Sequence, residues 1–174
     1  MKKYLLALLI FFSFSAYSQT IDINGIGEFK IGMDSSELFQ KLSNYEYLEY
    51  LGYHYFYTND ETHIVAWTDQ NSRIRGLGTE NPIFSLNNGI RVGSTIKDVL
   101  KYYPNAKLGH SHETDEEYLS ILDDLYQVGD KKRTMILFVN SNNGESLSLG
   151  DIDEESTEFS TDGIVSRIEM YNWN

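Results

Sequence analysis

Four groups of residues have the types and spacing for chemistry. Ser94 and Lys97 stand one helical turn apart, the Ser-x-x-Lys spacing in which a lysine draws the proton from a serine nucleophile. That chemistry also needs Ser-Asp-Asn and Lys-Thr-Gly elements, which the sequence lacks. The pair is therefore read as helix-start residues. His110 and His112, followed by Glu113, Asp115, Glu116 and Glu117, supply nitrogen and oxygen ligands in what reads as one polar acidic loop. In an extended segment residues two apart point the same way, so His110 and His112, with Glu113, form a candidate divalent-metal site. The competing reading is a solvated loop. Asp151 to Glu158 alternates oxygen ligands in the manner of a calcium loop, but Ser156 and Asp162 stand where the sixth-position glycine and the twelfth-position glutamate belong. It reads as an acidic connector, and no cofactor is expected.

The fourth group is aromatic. Tyr53, Tyr55 and Tyr57 alternate with His54 and Phe56, which puts the tyrosines on one face of a strand, and Trp67 lies on the strand that returns. Tyrosine and tryptophan offer large contact area with little side-chain entropy to lose, so these four residues are the candidate partner-binding surface. Ordinary packing within a sheet is the alternative. No serine-histidine-acid set, phosphate-cradling glycine loop or nucleotide fingerprint occurs.

The composition narrows the partner. The net charge of −12 repels nucleic acid and anionic lipid and favours a basic protein partner. Lys2 and Lys3, an apolar run from Tyr4 to Phe12, and Ala16-Tyr17-Ser18 form a secretory leader with cleavage expected after Ser18. The run is shorter than the roughly 20 apolar residues a membrane-spanning helix needs. Removing two lysines and no acid takes the charge from −12 to −14 and leaves 156 of 174 residues, periplasmic or secreted, with no membrane insertion expected after cleavage. The chain has no cysteine, so it holds together without disulfides or thiolate metal sites.

The elements that position these groups follow from periodicity. A strand with Phe29 and Ile31 leads through Gly32 to Asp34, a helix cap followed three residues later by Glu37, and the spacing predicts a helix over residues 35–44 with Leu38, Phe39 and Leu42 buried. Residues 45–51 do not settle between helix and strand. Three strands follow, over 53–58, 62–67 and 73–77. The unit then restarts. Ile90, Val92, Gly93, Thr95 and Asp98 repeat the arrangement, with Val99, Leu100 and Tyr103 on the buried helix face and Pro104 as the stop. Residues 118–122 and 125–128 read as strands or as one helix, 133–139 reads as a central strand, and Asp162-Gly163 reads as a hairpin turn into a last strand over 164–171. The expected fold is α+β: two tandem helix-plus-antiparallel-meander units, 19–80 and 81–174, forming one curved sheet with the helices on one face.

Ile31-Gly32-Met33-Asp34 with Glu37-Leu38, and Val92-Gly93-Ser94-Thr95 with Asp98-Val99, resemble the repeat of the β-lactamase inhibitor protein family. They are also similar to the small outer-membrane assembly lipoproteins of the SmpA/OmlA type. The resemblance implies the two-unit architecture and transfers no functional residue. The functional expectation is an exported, non-enzymatic protein-binding protein of inhibitor or immunity type, using an aromatic, acidic sheet face. The alternatives are an envelope assembly or scaffolding factor and a metal-binding protein or enzyme built on the His110–Glu117 loop.

Overall fold

The computed structural model describes residues 20–50, 52–58, 61–111, 114–121, 126–128, 131–148 and 156–173. The leader expected at 1–18 lies outside them. Strand follows strand: β1 (Thr20–Asp22), β2 (Gly25–Ile26), β3 (Phe29–Lys30), helix α1 (Ser35–Lys41), β4 (Glu46–Tyr50), β5 (Tyr53–Thr58), β6 (Glu61–Thr68), β7 (Ile74–Thr79) and β8 (Ser85–Leu86). Helix α2 (Ile96–Tyr102) precedes β9 (Lys107–Ser111), β10 (Glu116–Ser120), β11 (Tyr126–Val128), β12 (Lys131–Ser141) and β13 (Gly163–Trp173).

This architecture corrects the α+β expectation. The described chain is mainly β, with two helices of seven residues each, and its strands form two sheets rather than one. The smaller sheet runs β3-β2-β1-β8; the larger runs β4-β5-β6-β7-β13-β12-β10-β9, with β11 pairing β12. The cap signals are genuine, for Asp34 and Thr95 each accept a backbone N–H at a helix start. What they launch is two turns of helix carrying few core residues: Leu38 from α1, and Ile96 and Val99 from α2, all fully buried. The rest of the core comes chiefly from strands, including Ile21 and Ile26 of the small sheet and Ile64, Leu77, Leu108, Leu119, Leu137 and Ile168 of the large one.

Other local readings change for identifiable reasons. Residues 46–50 are exposed on both faces of an edge strand, so no alternation existed to reveal it. Asp162-Gly163 does not close a two-residue hairpin; Gly163 opens β13, and its partner is Ser141 of β12. Within the supposed His110–Glu117 loop, His110 and Ser111 belong to β9 and Glu116 and Glu117 to β10, with Glu117 paired to His110.

Among the described residues three bulges shape the large sheet, between β5 and β6, between β6 and β7 at Trp67/Thr68, and between β12 and β13. Phe56 faces Ile64 and Tyr57 faces Thr62, leaving His63 as the extra residue. Its ring stacks on Tyr45 at 4.8 Å between centroids and meets the edge of Phe84 at 5.1 Å. Its Nδ1 lies 3.2 Å from the Asn81 side-chain nitrogen. Burial holds the His63 pKa below its ordinary value because the charged ring loses solvation. The unfolded chain therefore takes up the proton first as pH falls through about 6.5. Stability due to His63 is full above that value and declines toward the lower folded pKa. Thermal melts from about pH 7.5 to about pH 5 should show this loss, with a shallower slope in His63→Gln; identical slopes would remove His63 from the account.

Candidate functional site

The large sheet has an apolar inner face and a polar, aromatic outer face. Alternation along β5 sends Phe56 inward, packed on Phe39 at 5.2 Å, and Tyr53 and Tyr55 outward. On the same outer face stand Trp67 and Val65 of β6, opposite Tyr53 and Tyr55, and then Gly76 and Gly78 of β7. Tyr171 and Glu169 of β13 lie opposite those glycines. Gly76 is there because the Trp67 indole lies across it: a Cβ would come within 2.0 Å of the ring. Trp67 thus fills the trough between Tyr53, 5.4 Å away, and Tyr171, 4.7 Å away.

These residues surround a cavity of about 630 Å³. Tyr50, Tyr53 and Tyr55 line one side, Ser111 and Thr114 of the β9–β10 hairpin the other, and Val65, Phe138, Arg167, Glu169 and Tyr171 the floor. Residues from both ends of the sheet meet in one cavity, so the sheet curls around it.

The floor is an ion cluster. At the bulge between β12 and β13 Ser166 and Arg167 together oppose Phe138, which sets the guanidinium 3.8 Å above the Phe138 ring. Arg167 Nε donates to Glu169 at 2.6 Å, while Nη1 and Nη2 donate to the two oxygens of Glu116 at 3.2 and 2.7 Å. Glu80 lies 3.7 Å from Nη1. The Tyr171 hydroxyl donates to the other Glu169 oxygen.

Burial works against the Arg167 cation, but Glu169 and Glu116 outweigh it and hold its pKa above the ordinary value. Burial raises the Glu169 pKa, opposed by Arg167 and by the Tyr171 hydroxyl. The Tyr171 phenol is pushed up by burial and then by Glu169. Burial also raises Tyr55; Arg167 opposes the shift, whereas Glu169, Glu80 and Glu116 add to it. The Tyr55 hydroxyl therefore sits within the field of the whole cluster.

Of the four aromatic residues singled out in the sequence, Tyr53 and Tyr55 line the cavity and Trp67 supports its wall. Tyr57 is half-buried on β5 and does not line it. Sequence reasoning missed Tyr50, Arg167, Glu169 and Tyr171. Arg167-Ile168-Glu169-Met170-Tyr171 alternates polar and apolar residues, and that alternation carried the missing signal.

His110 is on β9 with Nε2 3.1 Å from Asp115; His112 and Glu113 lie outside the described residues. No group of three metal-ligating side chains occurs among the described residues. Glu117 is structural, for its carboxylate accepts the Ser146 hydroxyl and the backbone N–H groups of Leu147 and Ser148. Ser94 Oγ accepts the Arg91 N–H, and Lys97 is exposed on α2. Residues 151–155 of the calcium-like stretch are outside the described residues, and Ser156 pairs its backbone with Leu108.

No protein-family model matches the chain, and no curated protein matches it. Among solved structures it is similar to the uncharacterized protein yfeY from Escherichia coli, at 12% identity and a TM-score of 0.58. The likeness covers 87% of this chain and 99% of that one, and at such identity it concerns the fold alone.

The cluster predicts a specific stability pattern. Arg167→Met leaves Glu169, 7% exposed, without its cation and should cost about 3–5 kcal/mol in urea unfolding. Without Arg167 the Glu169 pKa rises further, so the folded state holds a proton that the unfolded chain releases. The deficit should therefore shrink from about pH 8 to about pH 5. A pH-independent loss below about 1 kcal/mol would make the cluster an ordinary surface pair.

Proposed function

We propose that this chain is an exported, non-enzymatic binding protein that seats a segment of another protein in the tyrosine-walled cavity of its large sheet. The observation that carries this reading is the combination of aromatic walls with a self-satisfied polar floor. Tyr50 is 61% exposed at the rim, while Tyr53 and Tyr55 are half-buried, Tyr53 braced by Trp67 and Tyr55 by Tyr53. Braced rings gain contact area without losing much side-chain entropy, which is why such residues dominate protein-protein hot spots. Arg167, Glu169 and Tyr171 bind one another, an arrangement that keeps the shape of a pocket better than it serves proton or group transfer. The volume falls within the range of roughly 300–1,000 Å³ typical of ligand pockets. A side chain with its flanking backbone fits that range. Export by the leader at 1–18 completes the proposal.

Two measurements test it. Peptides selected from a random linear phage library on the wild-type protein should bind roughly ten-fold or more weakly to Tyr53→Ala/Tyr55→Ala. Circular dichroism and melting must first show that this variant is folded. Selected peptides that bind both proteins alike would contradict the cavity as the site. N-terminal sequencing of the protein from its native cell should begin at Gln19; a retained Met1 would contradict export.

A further inference from the structure

Resting on that reading, we infer that the group seated in the cavity is a cationic side chain, an arginine or lysine presented by a basic segment of a partner protein.

Charge beside an aromatic enclosure selects the occupant. Around the floor there is one guanidinium, Arg167, and three carboxylates, Glu80, Glu116 and Glu169. With all ionised, the cluster carries a surplus of two negative charges, and a surplus of one remains if Glu169 holds a proton. The cation is also the least accessible member. Arg167 is 15% exposed, sandwiched against Phe138, and donates along three bonds to Glu169 and Glu116. An entering anion would have to displace Glu116 from a bidentate pair, which is among the stronger polar contacts in proteins. An entering cation displaces nothing. It enters the field of Glu80, 42% exposed, and Glu116, 31% exposed, which adjoin the floor through Arg167 without lining the cavity and act, with Glu169, on the Tyr55 phenol in its wall.

The walls favour the same sign. Tyrosine rings present a negative π face, and a cation within about 6 Å of a ring centroid is attracted to it, most strongly where water is excluded. Tyr53 and Tyr55, with centroids 6.3 Å apart and planes inclined by 35°, offer two such faces beside the carboxylates. The chain as a whole, at −12, attracts basic partners and speeds their encounter. A small apolar or acidic occupant uses only part of this arrangement.

The test extends the peptide selection. Sequences enriched on the wild-type protein should be rich in arginine or lysine. Replacing the critical arginine by citrulline, its neutral isostere, should weaken binding roughly ten-fold. Glu80→Gln should weaken the arginine peptide and leave the citrulline peptide unchanged, and added salt should weaken only the former. Selected peptides that are neutral or acidic, yet lose binding in Tyr53→Ala/Tyr55→Ala, would overturn the cationic inference and leave the cavity reading standing. Peptides indifferent to the tyrosines would overturn both. A citrulline peptide that binds as tightly as the arginine peptide would also overturn the inference.

Discussion

Everything on the outer face depends on β13 being a strand with two incompatible sides. Val165, Ile168 and Met170 face inward and are fully buried, whereas Arg167, Glu169 and Tyr171 face outward and are nonetheless mostly buried. Charged groups taken from water must be paired, and the pairing here is complete enough to fix their positions: Arg167 to Glu169 and Glu116, Tyr171 to Glu169. Because β13 lies between β7 and β12, it joins the strands that precede β8 to those that follow α2. The cluster therefore sits where the sheet is continuous, and its geometry sets the floor of the cavity.

The small residues of β7 are the counterpart of that cluster. Gly76 and Gly78 lie opposite Tyr171 and Glu169, and the space left by their missing side chains admits the Trp67 indole and the Val65 and Glu169 side chains. A trough with large residues on either side is a natural consequence. Tyr53 and Tyr55 then stand along one bank with Trp67 behind them, and the β9–β10 hairpin closes the opposite bank. The concavity follows from which residues alternate outward, together with bulges at His63 and Ser166 that turn the strands.

Much of this was legible in the sequence, and the failures have physical causes. The strands over 53–58 and 133–139, the caps at Asp34 and Thr95 and the outward tyrosines could be read because alternation and capping are local. The α+β balance could not be read, since a cap marks where a helix begins and says little about how many turns follow. Residues 46–50 hid because an edge strand exposed on both sides has no apolar period. The ion cluster hid for a different reason: Glu80, Glu116, Arg167 and Glu169 come together only through pairings of β7, β10, β12 and β13 that span much of the chain. Glu117, which looked like a metal ligand, is instead an acceptor for the N–H groups of the Leu147 loop.

The central claim is that partners are held on the concave face of the large sheet. Hydrogen–deuterium exchange of the full chain, with and without a peptide selected on it, tests that claim most directly. The account predicts slowed exchange in residues 53–58 of β5 and 163–173 of β13, with α1 and α2 unchanged. Protection confined to the helices or to the small sheet, with β5 and β13 unaffected, would contradict it.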